Sequence, residues 1–168
     1  MSRSDRLRFS GRILFLTEDP DLLKRQLEGE DLPLEVGLRA KLVDNISTDE
    51  ITPGWVCFHY DEMLGEYSMV GLRGGHIEKG GLKGGGFDVV VSGESKGCGS
   101  SREQAPYSEL AAGVKLVVAR SIEKIYGQNC QNIGLLTTTD FGVLERIRRG
   151  DELSLEEFTH GLDPISAD

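Results

Sequence analysis

Ser100, Ser101 and Arg102 are the residue types in this chain best suited to chemistry on a carboxylate, and Gly97 and Gly99 leave room for one to approach. The stretch Gly97-Cys98-Gly99-Ser100-Ser101-Arg102-Glu103-Gln104-Ala105-Pro106 lies between two readable elements. Before it, the apolar run Phe87 to Ser92 reads as a buried strand; after it, Tyr107 to Ala112 has a helical pattern. This predicts a strand-to-helix turn at the carboxyl edge of a sheet, the crevice in which open α/β sheets bind ligands. Glycine lets the backbone come close to a ligand without a Cβ in the way. The first free N–H groups of a helix attract an anion, and Arg102 adds a rigid fork of donors that matches a carboxylate. The same residues can also serve as a helix cap, since Ser100-x-x-Glu103 and Ser101-x-x-Gln104 both fit the capping-box pattern. A cap needs one hydroxyl and no arginine, so the two glycines, paired hydroxyls and Arg102 together favour an anion site.

The elements that must position this turn follow in order. Arg12 to Thr17 reads as a first strand. Asp19 then caps a helix with Pro20 at its first position, Leu22, Leu23 and Leu27 on one face and Gly29 as its stop. The charged region from Glu28 to Glu35 reads as a surface connection and Leu38 to Val43 as the next strand. The polar segment Asp44 to Pro53 reads either as a stiff loop bonded to its own backbone or as a wall of the site. Between Gly71 and Gly86 the glycines are too dense for a packed helix or strand, which predicts a mobile loop. That loop carries Arg73, His76, Lys79 and Lys83, and reads as a cationic lid over a carboxylate or as a solvated linker. Further on, Lys115 to Ala119 reads as a strand, Ser121 to Gln128 as a helix and Ile133 to Leu136 as a strand. Asp140 caps a helix from Phe141 to Arg149 that ends at Gly150, and Leu153, Leu155 and Phe158 mark one more packed segment. Strands alternating with helices predict an α/β fold, a mainly parallel sheet flanked by helices.

Three segments, in order, carry a family resemblance. Gly97 to Pro106 resembles the signature of the mobile, swivelling β/β/α domain of the aconitase superfamily, especially that of isopropylmalate isomerase small subunits. Asp44-Asn45-Ile46-Ser47-Thr48-Asp49 is similar to the family's Asp-Asn-Ile-x-Thr-Asp segment. Ser121 to Cys130 with Ile133 to Leu136 is similar to its helix-then-strand segment. The resemblance implies one swivel domain over residues 1–168 and a hydro-lyase chemistry, in which a hydroxy di- or tricarboxylate is dehydrated and rehydrated. It implies that Ser100 acts as the base that takes the proton α to a carboxylate. It also implies a substrate site made by Arg102, Ser101, Gly99, Asp49 and Thr48. Arg73 joins that set because Arg73-Gly74-Gly75-His76 resembles the substrate-arginine segment of some aconitases. The leaving hydroxyl needs a Lewis acid, which the family supplies as a [4Fe–4S] cluster on a separate large subunit; this chain is expected to bind no cofactor itself. Where family members often carry a Tyr-Leu-Arg-type loop, this chain has Gly54-Trp55-Val56-Cys57-Phe58. Homoaconitate, methylmalate-type acids and a non-catalytic carboxylate-binding role therefore stay open beside isopropylmalate.

Composition sets further bounds. A net charge of −9 disfavours nucleic acid, whose binding rests on surplus lysine and arginine. No apolar run approaches the roughly 18 residues of a membrane helix, and the polar start lacks the apolar core of a signal peptide, which predicts a cytoplasmic chain that binds no membrane. Cys57, Cys98 and Cys130 are spaced too widely for a disulfide framework, a zinc site or an iron–sulfur site.

Overall fold

The computed structural model describes residues 6–9, 11–53, 63–99, 103–154 and 158. Its centre is a four-stranded parallel sheet in the order β2-β3-β4-β5, built from Arg12–Phe15, Phe87–Ser92, Leu116–Ala119 and Leu136–Thr138. All residues of β3 and β4 are buried. A parallel strand covered on both faces reads as a continuous apolar run, and Phe-Asp-Val-Val-Val and Leu-Val-Val-Ala have that character. The faces alternate along each strand: Leu14, Val90 and Val117 point into one core, whereas Phe15, Val89, Val91, Leu116 and Val118 point into the other. A separate antiparallel pair, β1 (Arg6–Leu7) with β6 (Leu153–Ser154), closes the second core together with Phe9 and Phe158, whose rings meet edge to face at 5.9 Å.

Helices cover the sheet. The first, α1 (Pro20–Leu27), starts as expected, with Asp19 Oδ1 accepting from Asp21 N–H at 2.9 Å and Pro20 at the first position. Its Gln26 is fully buried and clamps the first strand, donating to Phe15 O and accepting from Phe15 N–H. The sequence reading placed a strand over Leu38 to Val43, but the chain forms helix α2 (Leu34–Arg39), and only the end of the stretch is extended. There Thr17 bridges Leu42, and Val43 N–H donates to Leu16 O. Gly37 permits the close packing of this helix. A Cβ at this position would sit 2.5 Å from the Phe15 ring, so glycine lets α2 lie directly on that side chain.

The glycine-rich stretch also departs from expectation. After α4 (Met63–Glu66) it holds a short helix, α5 (Gly81–Gly84), and Leu72, Ile77 and Leu82 are buried. Its cations are engaged: Lys83 pairs with Glu66 at 3.1 Å, and Lys79 lies 5.2 Å from the Tyr67 ring centroid. Three apolar anchors in so glycine-rich a segment override its backbone freedom. The later elements shift along the chain. Following β3 and the 100–102 segment comes α6 (Gln104–Ala111), and after β4 comes α7 (Lys124–Ile133), which begins and ends later than the sequence suggested. Ile133 therefore closes a helix, and Gly134 at φ 82 stops it before β5. The last helix, α8 (Val143–Arg149), has Gly142 N–H on Asp140 Oδ1 at 2.9 Å and ends on left-handed Gly150. Among the described residues no helix is long and apolar enough to cross a membrane.

Candidate functional site

The site is built where β3 leaves the sheet. Gly93 N–H donates to Val43 O and Arg120 N–H to Gly93 O, so the exit is stitched to both neighbouring segments at once. Asp44 Oδ1 accepts from Glu94 N–H at 2.7 Å, and Ser121 Oγ accepts from Ser95 N–H at 2.7 Å while donating to Glu94 Oε1 at 2.8 Å. Ser95 is held at φ 55, a left-handed value uncommon outside glycine. Beyond it the chain runs between two partners. On one side Lys96 N–H donates to Ser121 O and accepts at its carbonyl from Glu123 N–H. On the other, Gly97 and Cys98 N–H both donate to Ile46 O, and Thr48 N–H donates to Cys98 O. The three segments singled out in the sequence, near residues 44–53, 97–106 and 121–130, thus meet along one backbone seam.

The glycines in the turn have different reasons. Gly97, at φ 87, sits over Tyr126, whose Cγ would lie 2.1 Å from an added Cβ. Gly99, at φ 92, has open space, with Ser47 Cβ 3.7 Å and Thr48 Oγ1 3.9 Å from an added Cβ; only its dihedral asks for glycine. Ser100, Ser101 and Arg102 lie outside the described residues. The helix that follows them has Glu103 at its N-cap without a side-chain cap bond, and Gln104 is its first residue. Neither Glu103 nor Gln104 is therefore at the third helical position that the capping-box reading requires.

Facing the turn, α3 (Thr48–Ile51) begins with a complete capping box: Ser47 Oγ accepts from Glu50 N–H at 3.1 Å and Glu50 Oε1 accepts from Ser47 N–H at 3.0 Å. The segment read as a stiff loop or site wall thus contains a turn of helix. Thr48 is buried and Asp49 is exposed. Arg73 reaches this helix from the glycine-rich stretch. Its Nε and Nη2 grip Glu50 Oε2 and Oε1 at 2.8 and 2.9 Å, and Nη2 also donates to Asn45 O at 2.7 Å. The structure therefore brings Gly99, Thr48, Asp49 and Arg73 to one edge of the molecule. A cavity of about 240 Å³ opens beside Arg73, lined also by Thr17, Glu18, Leu23, Val43, Leu72, Gly74 and His76.

Glu50 was not singled out in the sequence, although Ser47-x-x-Glu50 is a legible capping box. Burial alone would raise its carboxyl, but hydrogen bonds from Arg73 and from the Ser47 and Arg73 backbone hold it down at about 2. Because the folded value lies below the ordinary 4.5, this contribution to stability is present above pH 4.5 and is lost as pH falls from there toward 2. Thermal melts between pH 6 and 2.5 should show that acid loss shrinking in Arg73→Ala. An unchanged acid profile in the variant would show that the pair does not carry it.

Cys98 is partly exposed, and burial, followed by the charge of Glu123, pushes its thiol above the ordinary range, which leaves little thiolate at neutral pH. Cys130 is fully buried. Among the described residues no group of three or more His, Cys, Asp or Glu side chains is placed to hold a metal ion, and Cys57 lies outside those residues.

Comparison with known proteins identifies the family. Residues 82–140 match the Aconitase C-terminal domain family. The 3-isopropylmalate dehydratase small subunit of Nitratidesulfovibrio vulgaris is 38% identical over 121 residues, covering 71% of this chain and 70% of the relative. The isopropylmalate/citramalate isomerase small subunit of Methanocaldococcus jannaschii is 35% identical, over 68% of this chain and 67% of that one. A crystal structure of 3-isopropylmalate dehydratase from Methanocaldococcus jannaschii aligns with 56% of this chain and 55% of its own, at 37% identity and a TM-score of 0.46. The chain belongs to the isopropylmalate dehydratase small-subunit family of aconitase-type hydro-lyases, whose members are named as one half of a two-subunit enzyme.

Proposed function

We propose that this chain is the small subunit of a dehydratase that isomerises a hydroxy dicarboxylate, 3-isopropylmalate before others, in complex with a large subunit. The observation that supports this reading most is the seam in which Gly97 and Cys98 are hydrogen-bonded to Ile46 and Thr48 while the preceding Lys96 is hydrogen-bonded to Ser121 and Glu123. It holds the residues just before Ser100 at the carboxyl edge of a parallel sheet, where such folds bind ligands. In this reading the Ser100 oxygen takes the proton α to a carboxylate. A free serine is too weak a base, so the oxygen must be held as an anion by positioned N–H donors and nearby cations, for which the turn through Arg102 has the right groups. Arg102 grips a substrate carboxylate with its fork, helped by Ser101 and the backbone of Gly99. Thr48 and Asp49 form the facing wall. Arg73 Nη1 makes no hydrogen bond among the described residues, so it is the edge of that guanidinium available to a second carboxylate, while Glu50 fixes the other edge. The Lewis acid for the leaving hydroxyl is assigned to a [4Fe–4S] cluster on the large subunit.

The test is turnover by the reconstituted pair, with the large subunit loaded with iron and sulfide, across 3-isopropylmalate, citramalate, homoaconitate and methylmalate. Turnover of 3-isopropylmalate at the highest kcat/KM is expected. Faster use of another acid would reassign the substrate. Absence of turnover with every acid by a well-formed complex would leave a carboxylate-binding module without catalysis.

A further inference from the structure

Beneath the Gly97–Gly99 turn lies a cluster that the chemistry above does not use. The Lys96 and Glu109 side chains are both 0% exposed, and Lys96 Nζ donates to Glu109 Oε2 at 2.7 Å. The Tyr126 hydroxyl donates a short hydrogen bond to Glu109 Oε1, and the Lys96 ammonium lies 5.3 Å from the Tyr126 ring centroid. Both carboxylate oxygens are thus satisfied by residues from two other segments. Burial, then the neighbouring Cys130 and Glu109, push the Tyr126 phenol well above its usual range, which keeps it a donor.

The placement of these residues is what matters. Lys96 immediately precedes the turn, and its backbone is fixed to Ser121 and Glu123. Glu109 is on α6, the helix that the chain enters after residues 100–102. Tyr126 is on α7, and its ring is the floor on which Gly97 rests, 2.1 Å from where a Cβ would be. One set of charged contacts therefore ties the strand side of the segment, its helix side and its floor.

Stability does not call for such a device. Removing two charges from water is costly, and apolar residues of similar volume often replace a buried ion pair with no loss of stability or with a gain. What an ion pair with fixed partners supplies is one register between the elements that carry it. We propose that Lys96, Glu109 and Tyr126 are positioning residues that fix the turn, and through it the Ser100 oxygen, against the bound substrate. This rests on the reading of Ser100 as the base. Rate depends steeply on placement, and a misplacement of about 1 Å can cost on the order of 100-fold.

The test uses the reconstituted two-subunit enzyme with 3-isopropylmalate, or the fastest acid of the panel. The double variant Lys96→Met with Glu109→Leu, which leaves the buried Tyr126 hydroxyl without its Glu109 acceptor, should still fold, with kcat lowered about 10- to 100-fold, KM within about twofold and solvent-hydrogen exchange into substrate slowed in parallel. Tyr126→Phe keeps the floor under Gly97 and removes the hydroxyl that donates to Glu109 and meets the Cys130 thiol; it should lower kcat about 3- to 10-fold with KM unchanged. Parental kcat in a folded double variant would overturn the proposal. Should the double variant fail to fold, parental kcat in Tyr126→Phe would overturn it alone. Ser100→Ala, run alongside, separates the two ideas. An active Ser100→Ala removes the base assignment and the positioning proposal built on it, whereas an inactive Ser100→Ala beside a fully active double variant removes only the positioning role.

Discussion

Ser100→Ala is expected to fold, to bind the large subunit and to lose about 10²- to 10⁴-fold in turnover, the range that a positioned general base contributes. Solvent hydrogen should cease to exchange into the substrate, because the lost group is the one that would take and return that proton. The competing role is a helix cap. A lost serine cap costs about 1 kcal/mol of stability and leaves the rate nearly intact. Helix α6, with Glu103 at its N-cap and Gln104 as its first residue, already leaves the capping-box register unfilled. Ser101→Ala tests the neighbouring hydroxyl and should retain most of the turnover. Normal exchange by a well-folded Ser100→Ala complex would refute the base assignment.

Gly97→Ala should produce the largest loss of stability from any single methyl group in the turn. Its φ of 87 costs an L-residue roughly 1–2 kcal/mol. The new Cβ would also lie 2.1 Å from Tyr126 Cγ and 2.4 Å from Tyr126 Cβ, at the root of the side chain, so rotation of the ring cannot clear the clash. Forced overpacking typically adds about 1–3 kcal/mol, giving about 2–5 kcal/mol in all, a large part of the stability of a small domain. Gly99→Ala is the matched comparison. It carries a similar φ of 92, but its nearest neighbour would be 3.7 Å away, so only the dihedral cost of about 1–2 kcal/mol should appear. Urea unfolding midpoints would measure both. Equal losses in the two variants would show that the Tyr126 floor is not what confines Gly97.

The difference between these glycines marks how far the sequence could be read. Their density around Ser100 pointed to a turn where backbone meets ligand, and three ordered segments pointed to a family. Both readings depend on local pattern, and the seam shows those segments in contact. The sheet was legible for a similar reason: Val-Val-Val and Leu-Val-Val-Ala are too apolar and β-branched for a surface. What was lost depends on distant residues. Helix α2 carries the alternation Leu-Glu-Val-Gly-Leu-Arg, which also fits a strand, and its packing through Gly37 onto Phe15 is a contact that no local pattern discloses. The glycine-rich stretch looked free because its three anchors, Leu72, Ile77 and Leu82, find their cores only in three dimensions. Lys96 and Glu109 are charged letters that any pattern assigns to the surface. Their burial follows from each being the other's partner, which no single position discloses.

The seam has a consequence for descent. Gly97 and Cys98 to Ile46, Thr48 to Cys98, Lys96 to Ser121 and Glu123 to Lys96 are all joined through peptide groups. Peptide groups are common to every sequence, so these bonds themselves do not depend on which side chains Ile46, Cys98, Ser121 and Glu123 carry. A lineage that keeps this backbone can vary side chains along the seam while the hydrogen bonds that join its three segments persist.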